Sequence, residues 1–320
     1  TTGSSNIALG ESALRANTTA SNNTAVGTSA LSANTTGEDN VALGYAALRD
    51  NTTASNNTAV GYFALEANTT GANNVSVGTN ALDANTTGTQ NVAMGALALS
   101  GNTTSNNNIG LGYKAFQSNT TGTQNVGVGV SAGVTNTTGS YSTFVGVNSG
   151  FNATASKNTF IGHDAGSQVT TGANNTVIGR YNGNQGGLDI RTSNNYIVLS
   201  DGDGNPRGWF TDTGHFLVGT TAYNVADGNI LQANGELFST IANSLNTLHV
   251  YDITNSAFRF YVSGGGQIHA TSTSITAISD QSLKDNIRDL DKGLDSILAL
   301  QPRRFDWNNG DGNDIMGFIA

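Results

Sequence analysis

Few side chains in this sequence are placed to do chemistry on a substrate. Its four histidines, His163, His215, His249 and His269, stand singly, without the close His and Glu spacings that build a metal centre or an acid-base pair. They read as ordinary surface or core residues. The run Asp201-Gly202-Asp203-Gly204-Asn205-Pro206 has the alternating oxygens of a calcium loop, but no Glu follows where such a loop closes, and strand-like segments flank it. It reads as a hairpin turn. The absence of cysteine removes thiolate ligands and disulfides. No metal and no cofactor are therefore expected. What recurs instead is amide and hydroxyl, as Asn-Thr-Thr, through the first 182 residues. Each copy is formally an N-glycosylation acceptor, and each also offers an amide able to bond along a stack; both roles are open, with stacking the favoured one.

These groups are positioned by a repeat. Glycine falls at Gly10, Gly27, Gly44, Gly61, Gly78, Gly95, Gly112, Gly129 and Gly146 at a constant 17-residue interval, slips by one residue to Gly162 and resumes at Gly179. A fixed period this short means a stacked architecture in which each copy touches only its neighbours. The helical period is never sustained for two turns, which excludes helical repeats. Apolar triplets such as Val41-Ala42-Leu43 and Val75-Ser76-Val77 read as short strands, and the glycine after each supplies the positive φ of a corner. One copy per coil of a parallel β-solenoid follows. In stacked coils, Asn17, Asn34, Asn51 and their successors form one column and Asn6, Asn23, Asn40 and theirs another, with a spacing of roughly 4.8 Å that lets amides bond up and down the stack.

Two features bear on packing. Neighbouring side chains of a strand point to opposite faces, and the middle position (Ala8, Ala25, Ala59, Ser76, Ala93, Gly110, Gly127) is small and never charged. Both faces therefore look buried; a slender coil has one inside, so the second apolar face is expected to meet other chains, giving a parallel homotrimer. From Gly133 onward, Gly133, Gly150 and Gly166 stand where earlier copies have Leu14, Leu31, Leu48, Leu65, Leu82, Leu99 and Phe116, while the small middle position becomes Phe144, Phe160 and Val177. The phenylalanines are expected to fill the space that leucine fills in earlier coils.

Composition agrees with a fibre: 41 Gly, 2 Pro and 11% charged residues. The net charge of −9 and the scarcity of Lys and Arg in the repeats argue against nucleic acid as a partner. No apolar run approaches the length of a membrane span. Thr1-Thr2-Gly3 is in phase with Thr35-Thr36-Gly37, so the reading begins inside a repeat and a preceding segment is expected.

The organisation expected is thus all-β for most of the length: a trimeric 17-residue-coil solenoid shaft over 1–182, a β-rich stalk and meander over 183–270 whose strands over 229–270 pair between chains in a slim trimer, and an α+β segment over 271–320. In the stalk, Asn195–Ser200, Arg207–Thr211 and His215–Gly219 form a meander, followed by strands around Leu248–Tyr251, Ala257–Val262 and Gln267–His269. In the last segment, Leu290, Leu294, Ile297 and Leu298 mark an amphipathic helix ended by Pro302, and a hairpin over 304–320 follows.

That last segment, through Ser279-Asp280 with Lys284-Asp285-Asn286-Ile287, Pro302-x-x-Phe305-x-Trp307 and Gly317-Phe318-Ile319-Ala320, resembles the intramolecular chaperone of phage tailspikes, tail fibres and endosialidases over 42 residues. The resemblance implies a domain that trimerises first, templates the fibre before it, and is released by self-cleavage before its serine. Carried over, Ser279 is the nucleophile, Lys284 its general base and Ile278-Ser279 the scissile bond, which suits a lysine whose pKa is lowered by desolvation. The alternative is that the two residues only decorate a strand-to-helix connection. The segment is expected to be the N-terminal part of a longer domain.

The repeats are similar both to the heads of trimeric autotransporter adhesins and, more closely, to arrays in phage and giant-virus tail-fibre-like proteins. The functional expectation is a trimeric structural and attachment fibre, on a virion or cell surface, with a host glycan or receptor as external partner. A bacterial surface adhesin is the alternative. A polysaccharide-degrading tailspike is disfavoured, since fewer than a hundred residues separate the repeats from Ser279 and leave no room for a catalytic cleft. Activity is expected to be at most autoproteolytic. Ice binding is disfavoured because the adjacent hydroxyls of Thr18-Thr19 and its copies diverge.

Overall fold

A computed structural model of the chain describes residues 2–218 in full, and beyond them the backbone of 228–231, 237–240, 246–252, 257–263, 268–270, 302–305 and 315–318. The chain divides into two units, Thr1–Leu248 with Ser263–Gly265, and His249–Val262 with Gly266–Ala320. The first contains the repeats. Each triplet is a three-residue strand: β1 (Ile7–Leu9), β2 (Thr24–Val26), β3 (Val41–Leu43), β4 (Thr58–Val60), β5 (Val75–Val77), β6 (Val92–Met94), β7 (Ile109–Leu111), β8 (Val126–Val128), β9 (Thr143–Val145), β10 (Thr159–Ile161) and β11 (Thr176–Ile178). Successive strands pair parallel and in register, Val41 on Thr58 and Ala42 on Ala59, so the eleven copies are eleven turns of a β-solenoid. The one-residue slip is a 16-residue turn, Thr143 pairing with Thr159. No described residue is helical.

The corner after each strand is made by the recurrent glycine. Gly44 has φ 141°, and a Cβ there would lie 2.3 Å from the carbonyl oxygen of Gly61 in the next coil. No side chain fits. The remaining bends use non-glycine residues in the left-handed region, three per coil: Ala46 (φ 54°), Leu48 (φ 51°) and Asn56 (φ 61°) in one copy. Leucine in this region costs about 1–2 kcal/mol. Stacking offsets it: the N–H of Leu48 donates to the carbonyl of Ala64 at 3.0 Å, and its side chain is fully buried in the coil.

The interior row is Ala25, Ala42, Ala59, Ser76 and Ala93, packed against Leu31, Leu48, Leu65, Leu82 and Leu99, all wholly buried. Halfway along, the expected exchange of volume is present in detail. Turn eight has two glycines, Gly127 and Gly133, and the Phe116 ring fills the space: Cβ atoms built there would lie 2.7 and 2.4 Å from it. In turns nine and ten the rings of Phe144 and Phe160 lie over Gly150 and Gly166, at 2.8 and 2.4 Å from the Cβ positions. Phe144 packs between Phe116 (ring centroids 5.6 Å apart) and Phe160 (5.3 Å). Each aromatic ring sits where a leucine would otherwise reach.

The asparagine columns are buried ladders. In one, Asn68 Nδ2 donates to Asn51 Oδ1 and to the Gly71 carbonyl, both at 2.9 Å, while its Oδ1 accepts from Asn85. In the other, Asn57 Oδ1 accepts the backbone N–H of Asn74, and Asn57 Nδ2 donates to the Gly71 carbonyl. These amides satisfy backbone groups that a tight coil cannot pair with backbone. The first ladder breaks where the core changes: Asn119 Oδ1 has no partner, and Asn136 turns to accept the N–H of Gly139.

Beyond residue 182, where the sequence period ends, the sheet continues. β12 (Asn184–Gln185) and β13 (Leu188–Asp189) form a hairpin whose two turn residues, Gly186 and Gly187, both have positive φ, the twist-matching form of a two-residue loop. Then β14 (Ile197–Ser200) adds a twelfth parallel rung on β11, Thr176 pairing with Ile197 across a 21-residue turn. β15 (Pro206–Phe210), β16 (Phe216–Val218), β17 (Gly228–Leu231) and β18 (Leu237–Thr240) extend it antiparallel. These strands pair with one another in the expected meander, because short turns make consecutive strands the nearest partners. Val198, Trp209 and Leu217 carry the buried row onward. Three further strands, β19 (Asn246–Asp252), β20 (Ala257–Ser263) and β21 (Ile268–Ala270), form a sheet in which β20 and β21 are antiparallel. Of the C-terminal hairpin, β22 (Pro302–Phe305) pairs antiparallel with β23 (Ile315–Phe318). The expected helix around Leu290–Leu298, with Ser279 and Lys284, lies outside the described residues.

Candidate functional site

The solenoid offers two surfaces of different character, one on each side of the corner glycine. The first is the outer side of the strands. The middle residue of each rung faces into the coil, and its two neighbours face out: Leu43 is 47% exposed, Met94 48% and Ile178 46%. Of the two faces read as buried, the single chain buries one. The other is a stripe of Val, Ile, Leu, Met and Thr over eleven parallel rungs, continued by Ile197 and Leu199 of the twelfth and by Phe210 and Val218. At the strand spacing it is on the order of 50 Å long. Three extended residues in width, it is on the scale of the largest apolar patches that soluble monomers expose, which are often functional.

The second surface follows the glycine, where the eleven copies differ most from one another. Nine of the twelve charged residues of 1–182 lie within six residues after a corner glycine: Glu11, Arg15, Arg49, Asp50, Glu66, Asp83, Lys114, Asp164 and Arg180. Arg49 pairs with Asp50 at 2.9 Å and reaches Glu66 one coil on. Desolvation raises the pKa values of Glu66 and Asp83 above the ordinary carboxyl range. Tyr45 and Tyr62 stack at 5.2 Å with half their surface exposed, and Phe63 packs edge-on at 4.2 Å from Tyr62. Reading the sequence for its repeat averaged this face away; comparing copies position by position is the signal that finds it.

The residues picked out by type fall as follows. Ser279 and Lys284, with His249 and His269, lie outside the residues whose side chains are described, so the proposed dyad has no geometry here. His163 is exposed and its Nδ1 lies 2.8 Å from Asp164. The acidic run is a hairpin turn between β14 and β15. Asp201 Oδ1 accepts the backbone N–H groups of Asp203 (3.0 Å) and Asn205 (2.9 Å), and Oδ2 meets the Arg207 guanidinium. The Asn205 N–H and Arg207 hold this carboxyl down at about 2. Its oxygens are spent on the turn.

The sequon asparagines Asn34, Asn51, Asn68, Asn85, Asn102, Asn119 and Asn136 are wholly buried, so none can carry a glycan in the folded coil. The first threonine of each pair donates its hydroxyl to the next coil, Thr52 Oγ1 to the Thr69 carbonyl at 3.1 Å, which leaves one hydroxyl per coil facing water. No helix among the described residues is long and apolar enough to cross a membrane.

A family model described as the chaperone of endosialidase matches residues 279–320, beginning at Ser279. No curated protein and no solved structure matches the chain. The match and the β-solenoid together fit a tail-fibre or endosialidase-type protein with a C-terminal chaperone, extracellular or virion-associated.

Proposed function

We propose that this chain is the shaft and assembly segment of a trimeric attachment fibre. Three parallel copies close their outer stripes against one another, and the segment from Ser279 brings them into register. The observation that carries this reading is the continuous, mainly apolar stripe of Val, Ile, Leu, Met and Thr on the outer side of the twelve-rung solenoid. A partner for it must present apolar side chains at the same rung spacing over the same length, which a second copy in parallel register does by construction. The number three comes from the resemblance of the C-terminal segment; the stripe itself asks only for closure.

The assembly segment then separates by its own chemistry. The Ser279 hydroxyl attacks the carbonyl carbon of Ile278, Lys284 takes the hydroxyl proton, and the Ser279 nitrogen leaves as an amine; water hydrolyses the resulting ester. Light scattering on the Ser279→Ala chain, which stays uncut, tests the assembly: the expected mass is three times the 32.8 kDa of one chain. Leu43→Asp with Ile178→Asp brings it to one chain with the coil's circular dichroism intact. A monodisperse Ser279→Ala monomer refutes the proposal. Mass spectrometry tests the cut, which is expected between Ile278 and Ser279 and is abolished by Ser279→Ala.

A further inference from the structure

The post-glycine surface is hollowed around Asp164, between the 16-residue turn and the 21-residue turn. The β12–β13 hairpin, extra to the repeat, contributes Gln185 to its lining. The result is a cleft of two contiguous lobes, about 260 and 340 Å³, sharing Asp164 and Gln168. Phe151, 37% exposed, lines the first lobe beside Asn152; Arg180 and Gln185 line the second.

We propose that this cleft binds one or two rings of an uncharged oligosaccharide. Sugar hydroxyls both donate and accept, and one face of a pyranose is a patch of C–H groups; a matching site needs amides, a carboxylate, fixed N–H donors and an aromatic wall. All are here within one chain. Asp164 is held by Asn148 Nδ2 at 3.1 Å and by His163, so its carboxylate is fixed as an acceptor. Arg180 lies 3.6 Å from Asp164, near enough to balance its charge but beyond hydrogen-bond distance, so the guanidinium keeps its donors for a ligand. The Gln168 side-chain amide makes no hydrogen bond to another described residue, while the backbone N–H donates to the Asn182 carbonyl at 2.8 Å. Gln185 is fixed by donating to the Asp203 carbonyl at 2.7 Å.

Charge decides against the other small ligands. The one arginine is matched by Asp164, and Asp203 adds a second carboxylate, so an anionic sugar or a phosphate meets no net positive field. Among the described residues no group of three His, Asp or Glu is placed to hold a cation. Each lobe, at about 260 and 340 Å³, lies near the lower end of the roughly 300–1,000 Å³ usual for ligand sites and suits one ring, so the two together suit one or two. The inference deepens the attachment reading, from which it takes its biological sense, but the site is complete in a single chain.

Saturation-transfer NMR and calorimetry on the full chain test it, with neutral trisaccharides of galactose, mannose, glucose and N-acetylglucosamine as probes, each beside a sulfated or carboxylated counterpart. At least one neutral probe is expected to bind, and to weaken about tenfold or more on Arg180→Ala and on Phe151→Ala, the loss of one charge-assisted contact or one stacking wall. Lys114→Ala, on the same face several coils away, leaves binding unchanged. Thermal melts by circular dichroism confirm that the variants fold. Binding by no probe, binding by the charged probes alone, or binding indifferent to both variants overturns the site. Mass is read on the same samples: a trimer that binds no sugar loses the cleft and keeps the shaft, whereas a monomer that binds keeps the cleft and loses the shaft.

Discussion

Exchanging Phe144 for Ala and Gly150 for Leu moves the core of turn nine back to the pattern of turn four, where Ala59 faces Leu65. Phe144→Ala alone opens a hole in a fully buried site and is expected to cost about 3–5 kcal/mol. Gly150→Leu alone puts a Cβ 2.8 Å from three atoms of the Phe144 ring. It costs about 1–3 kcal/mol for overpacking, and about 1–2 kcal/mol more for a leucine at φ 61°. Added independently, the two reach about 5–10 kcal/mol. In the double variant the leucine enters the space the ring left, and two penalties remain: the left-handed backbone, and the contacts of Phe144 with Phe116 and Phe160, about 0.5–1.5 kcal/mol each. The double variant is therefore expected to lose only about 2–5 kcal/mol, a favourable coupling of about 3–5 kcal/mol. Urea unfolding followed by far-UV circular dichroism, at one protein concentration and with m-values compared, measures it. Additivity within about 0.5 kcal/mol refutes the claim that one volume is shared by these two positions.

Other expectations follow from the same geometry. Asn68→Ala orphans Asn51 Oδ1 and an Asn85 N–H at once, while the Gly71 carbonyl keeps its bond from Asn57, and loses more than the about 1–3 kcal/mol of one buried unsatisfied group; a drop below that in urea midpoint analysis contradicts the ladder. Gly44→Ala introduces a methyl 2.3 Å from the Gly61 carbonyl oxygen, so the chain is expected to yield little folded protein, and an unchanged melting temperature is the contrary result. Asp201 has a depressed pKa, so its stabilisation is complete above the ordinary aspartate value near 4 and is lost as pH falls toward about 2. Hydrogen exchange in the β14–β15 hairpin should therefore quicken over that interval, and Asp201→Asn should abolish the acid dependence.

The sequence alone determined whatever a repeat multiplies: the parallel coil, the glycine corner, the asparagine ladders, and the exchange of Leu for Phe in the core. A residue copied at each turn meets its own kind one strand spacing away, so Asn51 and Asn68 are neighbours in any stack with this period. The hairpin turn at Asp201 was equally legible, from strands on both sides of it. Only the tertiary structure decided which side of each strand is inside, because Ala42 and its flanking Val41 and Leu43 are all apolar and parity alone does not orient them. It also decided that Leu48 adopts a left-handed backbone, against its own preference, since burial and the bond to Ala64 outweigh local strain. The twelfth rung and the cleft beside Asp164 belong to the same class. They arise where turn length departs from 17, and a departure from a period carries no pattern from which its shape could be read.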